Sequence, residues 1–104
     1  MADVRVLTDA AAGVHLARLR DRATLPADFQ RHARFLGSLL ALEAVKDIPS
    51  TTTAVHTPLT TADAVVPARQ IVAVPVLRAG LGLLPGLQDL FPTASVGMIG
   101  LQRN

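Results

Sequence analysis

Arg78-Ala79-Gly80-Leu81-Gly82 is the segment of this chain best suited to chemistry. Arg78 ends an apolar run of strand character, Gln70 to Leu77, and a short glycine loop follows before a new apolar pattern begins. Strand, glycine loop and helix in that order present backbone N–H groups to a phosphate. A guanidinium at the loop's mouth adds a permanent charge and five donors shaped for phosphate oxygens. Position alone leaves Arg78 two readings: a phosphate contact, or a surface arginine that closes a βα turn and pairs with a nearby carboxylate.

The other candidates are weaker. Gly80, Gly82 and Gly86 suggest a dinucleotide fingerprint, but the third glycine of G-x-G-x-x-G would fall on Pro85, and no acidic residue follows at ribose-binding distance. The plainer reading is that Gly80 and Gly82 permit a tight turn and close helix packing. Arg103 is the second-to-last residue, where a frayed terminus is the default. His15, His32 and His56 have no ligand-like spacing, and no nearby Asp, Glu or Cys completes a metal set, so they read as surface or interface histidines. Glu43 is the only glutamate and sits late in a helix, where the dipole favours a cation; this suggests a partner such as Lys46. Asp89 reads as solvated.

The elements that would position these residues follow from periodicity. Asp3 to Leu7 is expected to be a short edge strand. Thr8 or Asp9 caps a helix over about Ala10 to Arg22, with Val14, Leu16 and Leu19 as its apolar positions. Thr24 caps a second helix with Pro26 in its first turn, running to about Val45. Its expected apolar stripe is Phe29, Ala33, Leu36 and Leu40, widened by Phe35 and Leu39. Ser50 to Pro58 reads as a strand exposed on one face, and Leu59 to Arg69 as a weak strand or loop. Gln70 to Leu77 and Ala94 to Leu101 read as continuous strands buried on both faces of a parallel sheet, joined by a helix over Gly80 to Leu90. The last third is therefore one right-handed βαβ unit. The chain divides into a helical part, 1–49, a strand and loop excursion, 50–69, and the βαβ unit, 70–104.

Composition sets the outer bounds. At 104 residues, half of them hydrophobic and 17% charged, this is one small domain or a piece of a larger one. The net charge is only +2, and the arginines at 18, 20, 22, 31 and 34 lack interleaved aromatics to stack bases, so a solvated helical face is expected and no nucleic-acid partner. The absence of cysteine excludes disulfides and thiolate metal sites and fits a cytoplasmic protein. The first residues have no apolar signal core, and the longest apolar stretch, Ile71 to Leu87, is interrupted by Arg78 and two prolines, so no membrane span is expected.

Longer segments carry a resemblance. Leu39 to Pro49 (LLALEAVKDIP), Thr57-Pro58-Leu59, Val74 to Gly82 (VPVLRAGLG) and Val96 to Asn104 (VGMIGLQRN) together resemble the N-terminal half of a uracil phosphoribosyltransferase, a type I phosphoribosyltransferase. The resemblance runs in order from about His15 to the last residue. It implies an α/β fold made of N-terminal helices plus the first βαβ unit of that family's parallel sheet, incomplete. It implies a pentosyltransferase joining uracil to 5-phosphoribosyl-1-pyrophosphate, giving UMP and pyrophosphate with Mg²⁺, in pyrimidine salvage. By the same resemblance Arg78, with the N–H groups of Ala79 and Gly80, contacts the donor's pyrophosphate, and Arg103 belongs to the donor site. The family's tyrosine before that second arginine is Gln102 here, and a tyrosine common before the Glu-Ala pair is Leu42. The ribose-binding loop and the uracil-reading segment have no counterpart in these residues, so the parent protein is expected to be the enzyme and this chain a truncated form inactive alone. A homo-oligomer and an activating nucleotide are further implications.

Two other readings stand beside it. One is a non-catalytic remnant serving as an oligomerisation or regulatory module; the other is an unrelated small α/β nucleotide-phosphate binder using the Gly80 loop. Two apolar parallel strands without all their neighbours also predict an exposed apolar edge and self-association.

Overall fold

A computed structural model of the chain describes residues 3–101. Helix α1 spans Ala10–Arg20, and Asp9 caps it by accepting the Ala12 N–H at 3.0 Å. Helix α2 spans Pro26–Ala44 and passes into a 3-10 turn at Val45–Asp47. Its N-cap is Leu25 rather than Thr24, which instead donates its hydroxyl to the Arg18 carbonyl at 2.6 Å and ties down the end of α1. Pro26 fixes this boundary: it suits the first helical position and forces the residue before it to be extended.

The buried line of α2 is Ala33, Gly37 and Ala41, at steps of four residues. The large residues of the expected stripe flank it, with Phe29, Phe35 and Leu40 each more than a third exposed. The reason is the close approach of helix α3, Leu84–Leu90. A Cβ on Gly37 would meet the Leu83 carbonyl oxygen at 2.5 Å, and one on Gly86 would collide with the Arg34 carbonyl oxygen and the Ser38 nitrogen. Ser38 donates its hydroxyl to the Gly86 carbonyl at 2.9 Å across the same contact. Only small residues fit where the two backbones touch.

Strands β1, Ser50–His56, and β2, Thr61–Pro67, form an antiparallel hairpin in register from Ser50 opposite Pro67 to His56 opposite Thr61. The turn closes where the Thr57 N–H donates to the Thr60 carbonyl at 2.8 Å. Leu59 to Arg69, read above as a weak strand or loop, is mostly the second strand of this hairpin. Its Ala, Val and Thr residues suit a pleated ladder, and Pro67 stands at its last position, where a missing donor costs least.

The parallel part is thinner than expected. Strand β3, Val72–Ala73, pairs with β5, Ser95–Val96, and β4, Val76–Leu77, pairs with β6, Ile99–Gly100. The Ile71, Ala73 and Pro75 carbonyls accept in turn from the Ser95, Gly97 and Ile99 N–H groups at 3.0, 2.9 and 3.2 Å. Pro75 has no N–H to return, which divides each expected strand into two short pieces. Burial on both faces also fails. Ala73 and Pro75 are buried, whereas Val72, Val74 and Val76 are 57%, 47% and 42% exposed. Among the described residues nothing covers that second face, and Val96, Met98, Ile99 and Leu101 lie open as well. The fold is thus α/β with an incomplete sheet.

Asp3 to Leu7 forms no strand. Arg5 draws this segment to the end of α2, pairing with Asp47 at 3.1 Å and Glu43 at 3.7 Å, with Val4 and Val6 left exposed. No helix of the described residues is long and apolar enough to cross a membrane.

Candidate phosphate-binding loop

Arg78 stands directly after β4, and its backbone enters a 3-10 turn over Ala79–Gly82. The Leu81 N–H donates to the Arg78 carbonyl at 3.0 Å and the Leu83 N–H to the Gly80 carbonyl at 3.2 Å. The helix expected from Gly80 onward therefore begins as this turn and becomes α-helical only at Leu84. The Leu77–Arg78 peptide is cis.

This geometry separates the two glycines. A Cβ on Gly80 would lie 3.1 Å from the Pro75 Cβ and 3.2 Å from its Cα, so the turn folds back closely on the strand it leaves. Gly82 has nothing within 4 Å of such a Cβ, and no described glycine has positive φ. Close approach favours Gly80; the structure gives no steric reason for Gly82.

The loop carries donors without partners among the described residues, as the first turn of a helix does. Arg78 is exposed, and among the described residues no carboxylate comes within ion-pair distance of it. The Ala79 and Gly80 N–H groups likewise have no acceptor among the described residues. Arg34 reaches Asp89 through two nitrogens at 2.6 and 2.5 Å and Arg31 lies 3.6 Å from Asp28, whereas Arg18, Arg20, Arg22 and Arg69, like Arg78, have no ion pair among the described residues. Asp89 is exposed, as expected, and is also an ion-pair partner: the Arg34 hydrogen bond holds its carboxyl below the usual range. Glu43 has the expected partner: Lys46 donates to it at 2.7 Å and holds that carboxyl low, with Arg5 adding to the effect.

Beside the loop opens a groove of about 640 Å³, walled by Leu40 and Ala41 of α2, Val74, Leu77, Leu83 and Leu87, with Arg78 at its lining. Its wall is apolar, and Arg78 is its one charged lining residue. Such a surface suits packing by further chain better than the binding of a polar molecule. Arg103 lies outside the described residues. His56 sits on the hairpin with its Nδ1 3.3 Å from the Thr61 hydroxyl, and His15 meets His32 between α1 and α2. The His15–His32 pairing escaped sequence reasoning, because residues 17 apart on different helices leave no periodic signal.

Known proteins resemble this chain over most of its length. A family profile described as uracil phosphoribosyltransferase matches residues 6–104. The uracil phosphoribosyltransferase of Streptomyces coelicolor is 46% identical over 91 residues, covering 86% of this chain and 43% of that protein. That of Burkholderia ambifaria is 42% identical over 89 residues, covering 85% and 41%. A solved protein structure from Aquifex aeolicus superposes with a TM-score of 0.85 at 31% identity, over 94% of this chain and 48% of that one. The chain spans less than half the length of these relatives.

Proposed function

Since this chain belongs to the uracil phosphoribosyltransferase family, we propose that it carries the pyrophosphate-holding half of that family's site. The observation that carries the proposal is the coincidence at one loop of an exposed guanidinium with no carboxylate partner and two N–H groups with no acceptor among the described residues. Family membership displaces the reading of an unrelated nucleotide binder.

Transfer of a ribosyl group from a pyrophosphate donor to uracil builds positive charge on the sugar carbon as pyrophosphate departs. The protein's task is to hold the donor, balance the charge of the leaving group and keep water out. Arg78 stays protonated at neutral pH, so it serves as a fixed charge and not as a base. The Ala79 and Gly80 N–H groups add donors to the same oxygens, and Arg103 supplies a second guanidinium. The loop's donors fit phosphate oxygens rather than a cation, and among the described residues no group of three or more metal-ligating side chains gathers. In this reading Mg²⁺ bound with the donor would supply positive charge against the pyrophosphate oxygens, beside the donors of Arg78, Ala79 and Gly80. Uracil recognition falls to the length of the relatives that this chain does not cover. The working protein is then a cytoplasmic homo-oligomer in pyrimidine salvage, responsive to an activating nucleotide, and these 104 residues make no UMP alone.

The test is titration of the chain with pyrophosphate, following its amide signals. Those of Ala79 and Gly80 should move first and furthest; signals that stay put while others move would contradict the loop assignment. UMP formation from uracil and donor by the chain alone would contradict the half-site reading. A second reading, an oligomerisation module without catalysis, is favoured by the exposed apolar face of β3 and β4. It expects stable self-association with no pyrophosphate binding.

A further inference from the structure

We propose that His15 and His32 form a proton-operated latch holding α1 on α2. The inference is independent of the phosphate loop. Helix α1 has one line of residues turned to the protein, Ala12 buried with His15 and Leu19 partly so, at steps of three and four. The apolar positions expected from sequence, Val14 and Leu16, are 59% and 44% exposed instead. His15 is therefore the middle member of the only stripe by which α1 is anchored, and α2 is the helix that receives it.

The pair is built as a hydrogen bond. The two Nδ1 atoms are 3.0 Å apart while the ring centroids are 5.2 Å apart, so the nitrogens lie between the rings and face each other. With both rings neutral, one must carry its proton on Nδ1 and donate, and the other must carry its proton on Nε2 and accept. One added proton leaves this bond intact and makes it charge-assisted. Phe35, with its ring centroid 5.0 Å from that of His15, lies within cation–π distance of that charge. A second added proton removes the acceptor and sets two N–H groups and two positive charges against each other.

The charged neighbours share the cavity that His32 lines: Arg18 from α1, Asp21 from the turn, and Asp28 and Arg31 from α2. Asp28 is engaged by Arg31, and one Asp21 carboxylate oxygen accepts the Ala23 N–H at 2.9 Å. The two acids and two arginines offset one another in formal charge, so an added proton on the histidine pair is not matched there by a spare carboxylate.

The experiment uses the full chain, labelled with nitrogen-15. At pH 8 one of the two rings should show the Nδ1–H tautomer; finding both as Nε2–H would overturn the proposal. Between pH 8 and 5, hydrogen-exchange protection factors of α1 should fall by about tenfold relative to those of α2 and α3, the scale of one lost hydrogen bond plus like-charge repulsion. His32→Phe keeps a ring against α1 without a proton and should abolish the difference. Equal loss of protection in wild type and variant, or none in wild type, would overturn it. If the variant does not fold, the tautomer and wild-type exchange measurements still decide.

Discussion

The α2–α3 contact and the outer face of β3 and β4 make opposite use of small and branched apolar residues. Between the helices, Gly37 and Gly86 let the backbones touch, and a bidentate Arg34–Asp89 pair and the Ser38–Gly86 hydrogen bond fix the contact from outside. On the sheet, Val72, Val74 and Val76 form an apolar row that no described residue covers. The first surface is finished and the second is waiting for a neighbour. The Arg78 loop lies where the two meet, entered from β4 and left through α3. Its backbone is thus held from the helical side while its apolar surroundings stay open on the other.

Substitutions should separate the two surfaces. The largest effect is expected at Gly86. Gly86→Val forces a side chain into the backbone of α2 and should cost about 2–3 kcal/mol, read as a lowered urea midpoint. An unchanged midpoint would mean that the helices are not in close contact. Val74→Lys on the open face should change stability by only about 0.5 kcal/mol or less, while shifting sedimentation of the chain toward monomer. Strong destabilisation there would show that the face is already covered.

Smaller still is the pH effect at the Arg34–Asp89 clamp between α2 and α3. The Asp89 carboxyl is held low by Arg34, so its contribution is fully present above the ordinary aspartate range and is lost only as pH falls through the depressed value. Exchange protection across the α2–α3 contact should therefore stay level from pH 8 to 5 and fall only in stronger acid. Loss of protection already at pH 6 would contradict the clamp.

The same contrast explains what the sequence made legible. Arg78 and Gly80 could be found because strand, arginine and glycine are adjacent in the chain and their spacing is local. Asp9 as a cap and Lys46 as the partner of Glu43 were readable for the same reason. The helix-facing stripe of α2 is legible in part, with Ala33 buried and Leu36 and Leu39 half-buried; Gly37 and Ala41 are missed because hydrophobic periodicity weighs large residues, whereas the contact with α3 selects small ones. Thr24 looked like a cap, but the extended residue that Pro26 imposes moved the boundary to Leu25. Burial of the β3 and β4 segment on both faces was expected from an apolar run that depends on neighbours not among the described residues. His15 and His32, like Arg34 and Asp89, meet only through tertiary packing, which leaves no trace in spacing.

The central claim is that Arg78 holds pyrophosphate. Calorimetric titration of pyrophosphate into the wild-type chain, Arg78→Ala and Arg31→Ala tests it most directly. The account expects Arg78→Ala to lose at least about tenfold in affinity, as removal of a charge-assisted phosphate contact should, with Arg31→Ala unchanged. Full affinity retained by Arg78→Ala, or equal losses in both variants, would contradict it.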